Sequence, residues 1–154
     1  PLPDVLIATA ASLPEKLYPF ECWRDVLSSL RADGLSIGLL GAPKKLQNAS
    51  WLGGTAEDKL VDSGLVRDLR GAFTMPQVVG AIAGVRAVLC LDNGILHMAA
   101  STNTPVIGLF RHGIHRLWAP RKQTVEVITA GEGRAVSEIP IDEVVSATRR
   151  AISG

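Results

Sequence analysis

The stretch Asp92-Asn93-Gly94-Ile95-Leu96-His97-Met98-Ala99-Ala100 decides the fold, because it directly follows the apolar run Ala87-Val88-Leu89-Cys90-Leu91. A short run rich in branched apolar residues is typical of a β-strand that is buried on both faces. The Asp-Asn-Gly sequence then indicates a turn, after which small and apolar residues continue at helical spacing. The stretch therefore predicts a buried strand, a tight turn and a helix over residues 96–101.

The turn at residues 92–94 has two interpretations, and this stretch alone favours neither. Gly94 has no Cβ, so its backbone can come close to a ligand. Free N–H groups at the start of the next helix attract anions. Together these features predict a cradle for a phosphate or diphosphate. The simpler interpretation is an ordinary strand-to-helix turn, in which Asp92 or Asn93 caps the helix.

Strand and helix patterns alternate along the whole chain. The predicted strands cover residues 5–10, 36–40, 65–69, 87–91, 105–110 and 124–129. The predicted helices cover residues 20–31, 55–62 with Thr55 as the cap, 77–83, 96–101 and 141–152, and residues 12–16 and 41–54 are predicted to be irregular. This alternation predicts an α/β fold, a doubly wound parallel sheet with helices on both faces. Ligands of such sheets bind at the carboxyl ends of the strands, where the strand order switches.

Composition and charge exclude several classes of protein. The chain has 154 residues, the size of one domain with a single core. Its net charge of +1 gives no strongly basic surface for binding nucleic acid. No apolar run approaches the roughly 20 residues that span a bilayer. Cys22 and Cys90 match no metal-binding spacing, so we expect buried thiols in a reducing compartment and no metal site.

Three sets of side chains are candidates for binding an anion at the carboxyl edge of the sheet. Lys16 follows the first strand and can reach a phosphate, or it can be a solvated surface lysine. His97 can contact a phosphate or an acidic neighbour, although a core histidine bonded to backbone is the favoured interpretation. The cationic loop at residues 111–116 can grip phosphates with bidentate bonds or can simply be solvated.

The sequence contains no complete catalytic or cofactor motif. It lacks the Walker A loop, the Gly-x-Gly-x-x-Gly fingerprint and the Gly-x-Ser-x-Gly elbow. Asp68 and Asp92 are single acids without an obvious partner carboxylate. We therefore predict no catalytic residues and no cofactor within this chain.

Three segments resemble the carboxyl-terminal half of glycosyltransferase family 9, the lipopolysaccharide heptosyltransferases. They are Asp68-Leu69-Arg70-Gly71-Ala72-Phe73-Thr74-Met75, the stretch 92–100, and Thr104-Pro105-Val106-Ile107-Gly108-Leu109-Phe110. The family patterns are Asp-Leu-x-Gly-x-Thr/Ser-Leu, Asp-Ser/Thr-Gly-x-x-His-x-Ala-Ala, and a strand that ends in Leu-Phe-Gly. The segment 15–23 is also similar to the family's Lys-x-Trp-Pro-x-x-x-Trp. The resemblance covers nearly the whole chain, and its middle segment is the most specific part.

The resemblance implies that residues 1–154 form the donor-binding, Rossmann-like domain of a two-domain GT-B enzyme, from which the acceptor domain and its base are absent. The implied ligand is a nucleotide diphosphate sugar, ADP-heptose or a related compound, and the implied acceptor is a lipid A-core or other glycan. A cytoplasmic location is implied, free or peripheral to the inner membrane. The start at Pro1 instead of Met agrees with a piece of a longer protein. A non-catalytic nucleotide-sugar or phosphate-binding module of the same fold is the alternative.

By the same resemblance, Lys16 contacts the donor phosphates, the backbone of Asn93, Gly94 and Ile95 holds the diphosphate, and Asp92 lies against the sugar. Residues 74–75 (Thr74 and Met75) lie near the nucleobase of the donor. His97 completes the predicted site.

This chain departs from the family pattern at three places. Asn93 replaces the usual Ser or Thr, which loses a hydroxyl but keeps an amide donor. Residues 111–113 (Arg-His-Gly) replace the usual Gly-Pro-Thr. Ala42 and Pro43 occupy the place where heptosyltransferases often have an acid that grips the donor. The resemblance therefore leaves the identity of the sugar open.

Overall fold

The computed structural model describes residues 1–43, 52, 54–115 and 119–154. The strands are β1 Val5–Ala8, β2 Ile37–Leu39, β3 Arg67–Asp68, β4 Ala87–Leu91, β5 Val106–Leu109 and β6 Val125–Ile128. The α-helices of these ranges are α1 Phe20–Ala32, α2 Gly54–Asp62, α3 Met75–Ala83, α4 Gly94–Ala100 and α5 Ile141–Ser153, and the 3-10 helices are η1 Pro14–Lys16 and η2 Val136–Glu138. All strand pairs are parallel, in the order β3-β2-β1-β4-β5-β6. The predicted doubly wound parallel sheet is confirmed.

Helices cover both faces of the sheet, because alternate residues of each strand point to opposite sides. On one face, α1, α2 and α5 pack in a cluster that includes Trp23, Ile7 and Leu89. On the other face, α3 and α4 pack in a second cluster that includes Ile82 and Leu96. Every residue of β4 is fully buried, which confirms the predicted strand with two covered faces.

The order of the strands switches between β1 and β4. From β1 the sheet grows through β2 and β3 in one direction, and through β4, β5 and β6 in the other. The chain leaves β1 toward α1 on one face and leaves β4 toward α4 on the other. The two loops therefore diverge and open a crevice at the carboxyl ends of these strands, which is where ligands of such sheets bind.

Several predicted boundaries were wrong. The first strand ends at Ala8 instead of residue 10, and residues 14–16 of the predicted loop form η1. Helix α2 begins at Gly54, so Thr55 lies inside its first turn and does not cap it. Most of the predicted irregular segment 41–54, with Lys45, Leu46 and Trp51, and also Arg116, lies outside the described residues.

The two cysteines have different environments, although both were predicted to be buried. Cys90 in β4 is fully buried, and this burial raises the pKa of its thiol well above the usual range. Cys22 on α1 is only half-buried, because it lies at the margin of the core cluster on that face. Within the described ranges, no helix is long and apolar enough to cross a membrane.

Candidate functional site

A cavity of about 590 Å³ opens at the carboxyl ends of β1, β2 and β4, and residues of α3 and α4 contribute to its wall. It lies at the switch in strand order, as the fold predicts. The predicted site residues that line it are Met75, Asp92, Asn93, Gly94 and Ile95. The predicted site residues that do not line it are Lys16, Thr74 and His97. The structure thus brings together most of the predicted set and leaves three members at or beyond the rim.

Apolar side chains cover the side of the cavity toward α3 and α4. Met75 and Val78 come from α3, Ile95 and Met98 from α4, and Phe73 from the loop before α3. Met75 is 62% exposed, a large share for an apolar side chain. Flat heteroaromatic groups suit such walls, because they gain contact area without needing many hydrogen bonds.

Asn93 joins β4 to the loop after β1. Its amide donates to the carbonyl oxygens of Ala8 at 3.2 Å and Ala10 at 3.0 Å. Its Oδ1 accepts from the Ile95 N–H at 3.1 Å and so caps α4. The two donated bonds use both amide hydrogens. The amide donor that Asn93 keeps therefore bonds within the chain, where it ties the strand end after β4 to the loop after β1.

Gly94 is the first residue of α4, which begins two residues earlier than the predicted 96–101 because Asn93 caps it. The Ile95 N–H bonds the cap, and the Leu96 N–H donates to the Asn93 carbonyl at 3.2 Å. The Gly94 N–H therefore stays open to a ligand among the N–H groups of this first turn. Gly94 has no positive φ, and a Cβ built on it meets no atom within 4 Å. The turn itself does not require glycine.

Lys16 forms an ion pair with Asp92, Nζ to Oδ2, at 3.2 Å. The lysine side chain is 20% exposed and the aspartate side chain 13%, so the pair is largely withdrawn from water. Lys16 is the last residue of η1, and Asp92 directly follows β4, so the pair spans the mouth of the crevice. The solvated surface lysine considered from the sequence is wrong, and a role for Lys16 in binding phosphate stays a prediction.

Thr74 and His97 lie outside the cavity for different reasons. Thr74 caps α3: its Oγ1 accepts from the Gln77 N–H at 3.4 Å, and its own N–H donates to Gln77 Oε1 at 2.9 Å. This capping box places Met75 at the wall of the cavity. His97 is an exposed residue of α4, so the core histidine favoured from the sequence is wrong.

The loop after β5, one strand beyond this crevice, carries Arg111, His112 and His115. His112 Nδ1 lies 3.1 Å from Thr129 Oγ1, and the Gly113 N–H donates to His115 Nδ1 at 3.1 Å. Arg111 Nη1 lies 3.8 Å from Glu15 Oε1 of η1. The loop is therefore held in place by side chains instead of being loosely solvated.

A buried arginine that sequence analysis missed organises the turn after β3. Arg70 donates to Asp68 Oδ1 and to Asp58 Oδ1, each at 2.9 Å, although its own side chain is only 10% exposed. Hydrogen bonds from Arg70 hold the pKa of Asp68 below its usual range. Asp68 and Asp58 thus bind the same Arg70 guanidinium. Asp68 has a structural role, because it holds the turn after β3 together. The order Asp68-Leu69-Arg70 is the sequence pattern from which the contact between Asp68 and Arg70 could have been predicted.

Comparison with known proteins agrees with the fold. A family model, glycosyltransferase family 9 (heptosyltransferase), matches residues 2–139. Lipopolysaccharide heptosyltransferase 3 of Escherichia coli is 28% identical over 120 residues, which are 75% of this chain and 34% of that protein. Lipopolysaccharide heptosyltransferase 2 of E. coli strain K12 is 26% identical over 97 residues, which are 63% of this chain and 27% of that protein.

Solved structures show the same fold. E. coli ADP-heptose LPS heptosyltransferase II matches with a TM-score of 0.80 at 21% identity, over 97% of this chain and 46% of that one. E. coli heptosyltransferase WaaC with ADP also matches with a TM-score of 0.80, at 19% identity, over 96% of this chain and 43% of that one. The sheet and its crevice define a Rossmann-like domain of the GT-B kind. The chain belongs to glycosyltransferase family 9, and it spans about a third of the length of the curated relatives.

Proposed function

We propose that this chain is the donor-binding domain of a family 9 glycosyltransferase, and that it binds a nucleotide diphosphate sugar in the crevice between β1 and β4. The observation that carries the proposal is the cavity itself, which combines an apolar wall with a polar mouth at the switch in strand order. The sugar is heptose-like, and the acceptor is a lipopolysaccharide or another glycan. ADP-heptose is the first candidate donor, because relatives carry ADP or ADP-heptose in their names.

The wall and the mouth suit different parts of such a ligand. Met75, Val78 and Met98 offer an apolar surface against which a nucleobase can lie. The Gly94 N–H and the Lys16 ammonium lie at the polar mouth, where a diphosphate can accept hydrogen bonds from both. Asp92 would then face the sugar hydroxyls that follow the diphosphate. No cofactor enters this scheme.

The wall of the cavity offers a nucleobase contact area more than specific hydrogen bonds. Calorimetric titration of the chain with ADP-, GDP- and UDP-sugars tests the proposal. We expect saturable binding of one nucleotide class, with the ADP compounds tightest, and a raised melting temperature for that class alone. If none of the nine combinations of these three nucleotides with heptose, glucose or mannose binds, the proposed function is wrong.

We further propose that acceptor binding and the catalytic base require a second domain, so that residues 1–154 alone do not transfer sugar. The carboxylate nearest the polar mouth, Asp92, is paired with Lys16 and is poorly placed to take a proton from an acceptor. Purified chain, incubated with ADP-heptose and a lipid A-core acceptor, should release no ADP above the rate without acceptor. Steady acceptor-dependent turnover would contradict this proposal, whereas binding without turnover in a full-length protein would favour the non-catalytic alternative. We place the protein in the cytoplasm, free or at the inner face of the membrane.

A further inference from the structure

Arg111 lies one strand beyond the cavity and has unused hydrogen-bonding capacity. Its Nε is buried and has no hydrogen-bond partner in the part of the chain that the structure describes. Its nearest carboxylate, Glu15, is 3.8 Å from Nη1, which is an ion pair but too long for a hydrogen bond. A guanidinium has five N–H donors in a planar fork. A part-buried guanidinium whose Nε has no partner among the described residues, at a ligand-binding edge of the sheet, therefore requires an explanation.

The register of the sheet brings Arg111 close to the polar mouth of the cavity. Leu91 at the end of β4 pairs with Leu109 at the end of β5. Two residues further along each chain lie Asn93, which caps α4, and Arg111. The short helix η1 connects the two strand ends, because its Lys16 pairs with Asp92 after β4 and its Glu15 pairs with Arg111 after β5.

We propose that Arg111 is a second cationic ligand for the diphosphate, acting on the phosphate farther from the base. This inference rests on the proposed function. The cavity is lined by the ends of β1, β2 and β4 and by no residue of β5. We place the nucleobase against the apolar side, the first phosphate at Lys16 and the Gly94 N–H, and the second phosphate beyond the lining of the cavity, toward β5. There the fork of Arg111 matches two phosphate oxygens.

Glu15 forms an ion pair with Arg111 and would compete with the ligand for it. The Glu15 side chain is 47% exposed, so the ion pair is weak and can be exchanged for a phosphate at small cost. Replacing Glu15 by a neutral group removes both a competitor and a negative charge from the path of an anion. The two members of this ion pair therefore have opposite effects on binding, which a purely structural ion pair would not produce.

Titration with nucleoside diphosphates and monophosphates tests the inference, using ADP, GDP and UDP with AMP, GMP and UMP. For the diphosphate and monophosphate of the nucleoside that binds, Arg111→Ala should weaken binding of the diphosphate by about tenfold or more, as expected for loss of a hydrogen bond to a charged group. The monophosphate should be affected less than about twofold. Glu15→Gln should strengthen diphosphate binding, and Arg111→Lys should fall between Arg111→Ala and the parent because it keeps charge without the fork. Arg24→Ala, which removes another arginine from an exposed pair, is the matched control.

Each outcome decides the matter. Equal diphosphate affinities of the parent and of Arg111→Ala overturn the inference, as does weakening by Glu15→Gln in parallel with Arg111→Ala. If Arg111→Ala does not fold, Arg111→Lys and Glu15→Gln carry the same test. If the parent binds neither the six nucleotides nor the nine nucleotide sugars, the proposed function fails and takes this inference with it. Nucleotide binding that is unchanged by substitution of Arg111 leaves the proposed function intact.

Discussion

Gly94→Val is expected to remove measurable binding of a nucleotide diphosphate while leaving the chain folded. Gly94 lines the cavity, its N–H has no partner among the described residues, and a Cβ at this position meets no atom of a neighbouring element within 4 Å. Two methyl groups there fill the place of a phosphate and keep it from the N–H. A hydrogen bond to a charged group is worth about 1.5–3 kcal/mol. With the steric exclusion added, the affinity should fall by more than about a hundredfold, as measured by calorimetric titration with ADP.

The same substitution should change stability little. Gly94 has no positive φ, so its backbone accepts an L-residue, and a Cβ at this position meets no atom of a neighbouring element within 4 Å. Glycine is also the weaker helix former of the two. The free energy of unfolding in urea should therefore stay within about 1 kcal/mol of the parent.

A control for this prediction is Gly80→Val on α3. Gly80 is also helical, a Cβ there also meets no atom within 4 Å, and it does not line the cavity. The Gly80→Val variant should bind ADP with the same affinity as the parent. A folded Gly94→Val protein that binds ADP as tightly as the parent would refute the cradle and return Gly94 to a mere turn residue.

The fold was predictable because its strongest signals are local. The run Ala87–Leu91 forms β4 with the predicted bounds, since five apolar residues stand between Arg86 and Asp92. The helix at residues 141–152 was predicted to within one residue, because its apolar positions repeat at helical spacing. Two helix starts were misplaced where the chain contains glycine. Gly94 and Gly54 each begin a helix, although glycine is typical of turns.

The contacts across the crevice were not predictable in the same way. The bonds from Asn93 to Ala8 and Ala10 join residues more than 80 positions apart in sequence. The sequence placed these residues at carboxyl ends of strands, but only the strand order shows that β1 and β4 are neighbours. The ion pair between Lys16 and Asp92 could not be predicted for the same reason. The capping box between Thr74 and Gln77, by contrast, is a local Thr-x-x-Gln pattern that could have placed the start of α3 correctly.

Lys16→Ala is expected to weaken binding of ADP by at least about tenfold, since a charge-assisted contact to phosphate contributes roughly 1.5–3 kcal/mol. The ion pair with Asp92 at 3.2 Å adds to this effect. Removal of the ammonium leaves the Asp92 carboxylate, whose side chain is only 13% exposed, unpaired beside the incoming anion. Like charges in such a poorly solvated place repel more strongly than at the surface. Calorimetric titration of both proteins with ADP measures the change.

Substitution of Asp92, the partner of Lys16 in the ion pair, separates the missing phosphate contact from the charge repulsion as causes of the weaker ADP binding. Asp92→Asn in the parent removes the competitor of the phosphate for Lys16, so we expect it to tighten ADP binding. In the Lys16→Ala background, Asp92→Asn should recover the part of the loss that comes from repulsion and leave the part that comes from the missing contact. Lys59→Ala on α2 removes one positive charge from an exposed site away from the cavity, and it should bind ADP as the parent does. If Lys16→Ala binds ADP as tightly as Lys59→Ala does, then Lys16 serves only to hold η1 against the strand ends. The polar mouth would then have to bind its anion through Gly94 and Arg111 alone.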